Sequence, residues 1–299
     1  MKNYAPNALE LASRDVVSRS EQTEIDEGRG IDGSVYLDMR HLGAEKILSR
    51  LPGSRELSMV YAGIDPIYDP VPVRPGAHYH MGGIETDNHG ATEMTGLYAA
   101  GECACVSIHG ANRLGGNSLM ETITFGRRAG RSAAEWALSH TTVEVPEAAE
   151  RDAEAKLRAL LDREDGERPW KLREELGTSM LENFAVFRTE QGMSKQIEII
   201  EGLRERFPNV YVEDKGEVFN SDLTQAIELG NMLDTALCMV TAGFQRKESR
   251  GAHARPHDYP TRDDENFLHH SITRWKDGGI ELSKSEVRFT KWEPQERTY

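Results

Sequence analysis

A chain of 299 residues with 36 Lys and Arg against 50 Asp and Glu carries a formal charge of −14, which excludes a basic nucleic-acid-binding face. Hydrophobic content of 38% and charged content of 29% belong to a water-exposed globular protein of one large or two ordinary domains. No apolar run reaches bilayer length, the first residues lack the apolar core of a signal peptide, and three cysteines give no disulfide framework, so a reducing compartment is expected.

In chain order, residues 7–26 predict a helix, since Leu9, Leu11, Ala12, Val16, Val17 and Ile25 recur among charges. A short strand is expected at 34–38, then helical stretches at 44–51 and 54–62. From 71 to 102 the texture turns to short β-like pieces. Residues 84–87 and 91–94 flank Asn88-His89-Gly90 as a hairpin, and 97–102 reads as a strand ending in Gly-Glu. Asn117 is expected to cap a helix running to about Leu138, with Gly126 and Gly130 spaced for close packing. Residues 139–244, rich in Glu, Arg, Lys, Leu and Ala, predict a helical bundle broken at Asp165-Gly166 and Phe207-Pro208. From Arg246 onward the chain is polar and loop-rich, with a strand candidate at 286–290.

Three motifs give way to plain structural readings. Gly28-Arg29-Gly30-Ile31-Asp32-Gly33 spells the dinucleotide fingerprint, but a helix precedes it and a strand follows, the reverse of what pyrophosphate binding needs, so it is read as a turn. Cys103-Ala104-Cys105 lacks a second pair and reads as a small-residue turn after a strand. Cys238 falls in an apolar helical pattern and reads as core, so no metal site is expected.

Other motifs stay open between structure and chemistry. His109-Gly110-Ala111-Asn112-Arg113-Leu114-Gly115-Gly116-Asn117-Ser118-Leu119 places a cation and glycines before a helix start, where free N–H groups and a partial positive charge favour anions. It is either an anion site beside a cofactor or a tight loop before a packed helix. His78-Tyr79-His80-Met81-Gly82-Gly83 offers an imidazole beside glycines, either a ligand donor or a structural histidine. Arg14 by default is a surface cation, and residues 246–255 a charge-paired connector.

Taken together and in order, Ser13-Arg14-Asp15-Val16-Val17-Ser18-Arg19, Ala77-His78-Tyr79-His80-Met81-Gly82-Gly83-Ile84, Gly101-Glu102-Cys103, the 109–119 stretch and Arg246-Lys247-Glu248-Ser249-Arg250-Gly251-Ala252-His253 closely resemble the flavoprotein subunit of succinate dehydrogenase and fumarate reductase. The resemblance runs through to Trp292-Glu293-Pro294-Gln295-Glu296-Arg297. L-aspartate oxidase, which shares much of the active site, is the nearest alternative family. The resemblance implies the C-terminal portion of such a subunit, without the N-terminal unit that grips the pyrophosphate of FAD. The implied fold is α+β, a partial FAD-binding α/β domain with a capping-domain remnant, followed by an α-helical bundle and a small C-terminal α+β domain. Expected boundaries are 1–70 for the end of the capping domain, 71–140 for the FAD-binding part, 141–245 for the helical domain and 246–299 for the C-terminal domain.

The resemblance also implies roles. Arg14 matches the arginine that moves a proton to or from substrate, which a guanidinium can do only in a relay with carboxylates. His78 and Arg113 match the pair that binds a C4 dicarboxylate, succinate or fumarate. His78, Tyr79, Glu102, Arg113, Ser118 and Leu119 match residues that meet FAD: Glu102 takes ribitol or ribose hydroxyls, and Ser118 and Leu119 meet the flavin edge through their backbone. His80 departs from the Thr or Asn expected there. Implied partners are the N-terminal half of the flavoprotein, an iron–sulfur subunit and, through it, membrane anchor subunits, with no nucleic acid. The implied location is cytoplasmic, peripheral to the inner membrane. A catalytically inert docking fragment is the competing reading.

Overall fold

The computed structural model describes residues 1–292 and 294–295, so Glu293, Glu296 and Arg297 of the closing motif lie outside the described residues. The described residues divide into two compact units, residues 1–78 with 294–295, and residues 79–292. Among the described residues no helix is long and apolar enough to cross a membrane.

The first unit contains helix α1 (Arg14–Asp26), strand β1 (Val35–Leu37), helices α2 (Ala44–Arg50) and α3 (Pro52–Leu57), and strand β2 (Val71–Val73). The expected helix over 7–26 starts late. Leu9 takes φ +49° and Ser13 is extended, so a single 3-10 turn at Leu9–Leu11 precedes α1. Ala5, Ala12 and Val16 close a small core beneath it. The 28–33 glycines form turns between α1 and β1, with Ile31 and Ser34 bridged across Asp32-Gly33. β1 and β2 pair antiparallel, Leu37 opposite Val71. Arg55 grips Asp65 bidentately, Nη2–Oδ2 2.6 Å, which holds the Asp65 carboxyl below its ordinary range.

The second unit opens with β3 (Ile84–Glu85) and β4 (Ala104–Cys105), followed by α4 (Asn117–Ser139). Two expectations fail here for one reason. β3 pairs parallel with β4 instead of folding back on 91–94, and 97–102 forms only a bridge from Tyr98 to Ala91. Asp87 ties the 87–91 turn by accepting from the N–H groups of His89 and Ala91, while Ile84 N–H is committed to Cys103 O at 2.8 Å. Gly83 permits that approach: at φ +122° its absent Cβ would lie 2.4 Å from Cys103 O. Cys103 lies in a turn, as expected, while Ala104 and Cys105 are strand, and among the described residues no group of His, Cys, Asp and Glu could hold a metal.

Gly116, not Asn117, occupies the N-cap of α4, at φ +80°. Gly126 and Gly130 face open space; the close contact is instead at Ala129, whose Cβ would meet a Cβ on Gly90 at 2.4 Å. The buried line Glu121, Phe125, Ala129 follows the four-residue helical spacing.

The bundle comprises α5 (Glu147–Leu161), α6 (Pro169–Asn183), α7 (Glu190–Arg206) and α8 (Ser221–Gln245). Leu172, Leu176, Met193, Ile200, Leu203, Leu229, Leu233 and Val240 form its core. Caps explain the starts: Thr189 accepts from Gly192 N–H and Asn220 from Leu223 N–H. Breaks fall at 162–168 and at Phe207–Asn209, as the Gly and Pro signals predict. A buried amide network locks α6 to α7, Asn183 Nδ2 donating to Gln196 Oε1 at 3.0 Å and Gln196 Nε2 to Ser179 Oγ at 2.9 Å. Cys238 on α8 is only partly buried.

After a short helix α9 (Asp264–Phe267), β5 (His269–Lys276) and β6 (Gly279–Glu286) pair antiparallel over eight residues each. The strand expected at 286–290 is thus displaced to 279–286. Its two-residue turn, Asp277-Gly278, takes φ +51° and +81°, the hairpin geometry that an Asp-Gly pair favours.

The 246–255 run is charge-paired, as expected, and its pairs form a largely buried ionic knot. Glu248, fully buried, accepts from Arg246 Nε (2.9 Å), Arg250 Nε (2.7 Å) and Asp263 N–H (2.9 Å). His253 accepts at Nδ1 from Arg188 (2.9 Å) and donates from Nε2 to Arg246 O (3.1 Å), so its ring is neutral. Burial, with Arg188 beside it, pushes His253 down to about 3. The unfolded chain then binds more protons than the folded chain between about pH 6.5 and 3, so this stability is whole above 6.5 and declines as pH falls. Unfolding by urea is expected to require about 1 kcal/mol less at pH 5.5 than at 7.5 on account of this group. A His253→Gln variant should lose that part of the pH slope; an unchanged slope would show that His253 does not titrate this way.

Candidate active site

The β3–β4 pairing lays two loops, 79–83 and 101–103, side by side, and Glu102 Oε1 accepts from His80 N–H at 2.7 Å. A third loop, 107–116, carries Arg113 and leads into α4. Arg113 N–H is held by Met81 Sδ at 2.9 Å, and Arg113 Nη1 donates to Leu114 O at 2.9 Å. Its guanidinium carbon lies 5.0 Å from the centroid of the Tyr79 ring, over the ring face. Among the described residues no carboxylate pairs with Arg113. Its charge is ordered yet uncompensated, the state in which a guanidinium fork can take an anion.

Beneath the stack lies a cluster that the sequence reading did not single out. Glu121, 2% exposed, accepts from the Tyr79 hydroxyl and from His109 Nε2 (2.7 Å), and the Tyr79 and His109 rings meet edge-on at 5.7 Å. Burial and Glu121 push the Tyr79 hydroxyl up to about 12, so it stays protonated and donates. A signal for Glu121 was present: it stands four residues before Phe125 on the face that Ala129 continues, an acid on an apolar stripe.

The start of α4 has no side-chain cap. Asn117 N–H bonds to Leu114 O, and the N–H groups of Leu119 and Met120 turn back to Gly116 O, leaving the Ser118 amide for a ligand. Leu114, Leu119, Met120 and Ile123 are exposed around it, at 60–74% of their surface. Of the other sequence candidates, Arg14 is the first residue of α1 and exposed, and His78 is exposed at the end of the first unit. Tyr79, Glu102, Arg113, Ser118 and Leu119 all belong to the second unit.

The segment 246–253 buttresses the Arg113 loop from behind. Ala252 N–H donates to Ala111 O at 2.9 Å, and Gly251, at φ +57°, lies so close that an added Cβ would sit 2.4 Å from the same oxygen. Gly251→Ala is therefore expected to destabilise the fold by about 2 kcal/mol, by combined backbone strain and overpacking. It should also weaken anion binding through a displaced Arg113 loop. Chemical denaturation with a ligand titration checks both, and wild-type values in each would refute the buttress.

Two family models match the chain: an FAD binding domain over residues 3–119, and the fumarate reductase flavoprotein C-terminal region over residues 173–299. The fumarate reductase flavoprotein subunit of Serratia sp. is 45% identical over 97% of this chain and 50% of its own length. The succinate dehydrogenase flavoprotein subunit of Rickettsia bellii is 41% identical over 93% of this chain and 49% of its own length. Among solved structures, Escherichia coli quinol fumarate reductase superposes with a TM-score of 0.90 at 44% identity, over 96% of this chain and 50% of that one. The chain belongs to the fumarate reductase and succinate dehydrogenase flavoprotein family, and its mixed helix and strand architecture is that of the family's fold. It spans about half the length of the curated relatives it matches.

FAD is the cofactor of this family, and the residues present fit it. An apolar strip at an uncapped helix start offers a planar ring a dry face and an N–H donor, and the helix N-terminus favours negative charge on it.

Proposed function

We propose that this chain is part of a flavoprotein that interconverts succinate and fumarate, contributing the dicarboxylate clamp and one wall of the flavin site. The observation that carries this reading is Arg113: a cation ordered over Tyr79, without a carboxylate partner, beside the uncapped start of α4. On this reading the Arg113 fork holds one substrate carboxylate and His78 donates to the same ligand. Arg14 delivers or removes the proton at one substrate carbon. Its relay needs a carboxylate, and Glu21 on the same helix feels it: burial raises the Glu21 carboxyl while Arg14 draws it back down. Glu102 accepts hydroxyls of the cofactor's sugar chain, Tyr79 packs near the ring, and Ser118 and Leu119 present backbone to its edge. When bound, FAD supplies the hydride acceptor for succinate oxidation or the hydride donor for fumarate reduction.

The proposed partners are the N-terminal half of the flavoprotein, an iron–sulfur subunit and membrane anchor subunits. Together they would hold this chain on the cytoplasmic side of the inner membrane. The similarity to quinol fumarate reductase supports this assembly. The test is to produce the chain alone and together with an N-terminal flavin-binding half, recording the visible flavin spectrum and turnover of fumarate, succinate and L-aspartate. Flavin loading with fumarate or succinate turnover in the pair is the expected result. A loaded pair that turns over only L-aspartate, or neither dicarboxylate, would overturn the reading. A pair that never retains flavin would make the chain a docking module.

A further inference from the structure

We propose that Glu121 is a positioning residue for the anion clamp: its buried carboxylate pins Tyr79 and His109 together and thereby sets the plane in which Arg113 presents its fork to a dicarboxylate. The inference rests on the proposed reading of Arg113 as the clamp.

A carboxylate can only accept, so both of its partners donate, Tyr79 through its hydroxyl and His109 through Nε2–H. The two donors come from different loops, 79–83 and 107–116, while Glu121 comes from the second turn of α4. One oxygen, Oε2, serves both, so three separate chain segments converge on a single atom. The Tyr79 ring is thus fixed at its hydroxyl by Glu121 and along its edge by the His109 ring. Its remaining face carries the Arg113 guanidinium. A planar cation on an aromatic face follows the tilt of that face, so the carboxylate below the ring governs the fork above it.

The cluster is costly as a mere core element. It buries an acid and an imidazole and half-buries a phenol, and among the described residues it leaves His109 Nδ1 without a hydrogen-bond partner. An apolar trio of similar volume would fill the space without that cost. What such a trio could not do is orient the Tyr79 ring by a directional bond.

The test uses the assembled flavoenzyme containing this chain, with malonate as a non-reacting dicarboxylate followed through the flavin absorbance. Flavin content per chain shows that each variant is loaded. Glu121→Leu removes the acceptor at nearly constant volume, and Tyr79→Phe keeps the ring but removes the bond. Each is expected to raise the malonate Kd and the KM about ten-fold, with KM moving far more than kcat. The double variant should be no worse than the poorer single one, because both break the same link. An unchanged Kd in either single variant, or additive losses in the double, would overturn the proposal. Arg113→Lys, measured alongside, separates the two readings. If it too leaves Kd unchanged, the clamp reading itself has failed; if it alone raises Kd, only the positioning role has failed. Should Glu121→Leu not assemble, Glu121→Asp and Tyr79→Phe decide, with partial rescue expected for Asp.

Discussion

Arg113→Lys is expected to lower kcat/KM for fumarate or succinate by about 100-fold or more in the assembled flavoenzyme, a loss of about 3 kcal/mol in transition-state binding. Position matters more than charge here. The guanidinium uses one Nη1 bond on Leu114 O and sits over the Tyr79 ring, which leaves the rest of its fork to meet a carboxylate. An ammonium keeps the charge but has no plane to stack and no paired donors to offer. Because Met81 Sδ holds the backbone N–H of residue 113, the loop itself should not move in the variant. Steady-state kinetics with a thermal unfolding curve would check this. Near-normal kcat/KM would remove Arg113 from the clamp, and lost thermal stability would reassign it to the fold.

Glu248→Ala is expected to destabilise the protein by about 3–5 kcal/mol, enough to prevent folding in a chain of ordinary stability. Glu248 is fully buried and neutralises Arg246 and Arg250 together, while its Oε2 takes the Asp263 N–H. Removing the acid leaves two largely buried cations near one another, Arg250 still reaching Asp264 at 2.7 Å and Arg246 keeping only neutral acceptors among the described residues, Phe267 O, His269 O and Ser271 Oγ. Burial already draws the Arg246 guanidinium below its ordinary range even with Glu248 present. Glu248→Gln should recover part of the loss, since the amide oxygen can still accept while the charge cannot be restored. Urea unfolding of the three proteins measures this, and a loss under 1 kcal/mol for Ala would show that the knot relaxes without its acid. The same knot carries Gly251, so damage there should spread to the Ala111–Arg113 loop.

Much of the fold was legible because its signals are local. Asn220 and the Pro208 break mark the bundle ends, and the apolar spacing of Leu229, Leu233, Ala236 and Val240 marks the buried face of α8. The Asp277-Gly278 turn carries an equally local signal that the sequence reading did not use, and the strand expected at 286–290 was placed too far along. The 84–104 region was not legible. Whether Ile84 pairs with 91–94 or with Ala104 depends on Gly83 lying against Cys103, a contact between residues twenty apart that no periodicity records. The candidate site divides the same way. Arg113, His78, Tyr79, Glu102 and Ser118 could be singled out as candidates because short motifs carry them. Glu121 was missed because its partners are 42 and 12 residues away.

The amino-acid sequence by itself determined the family, the cofactor class and the order of helices, since these follow from contiguous motifs, caps and apolar spacing. Only the tertiary structure decided which acid stands behind Arg113 and what lies against its loop. It also buried the charge pairs of the basic 246–255 run. Those outcomes depend on which distant groups share a desolvated space. There a carboxylate and its donors must meet within hydrogen-bond distance or pay for their burial, and sequence separation sets no limit on which of them do.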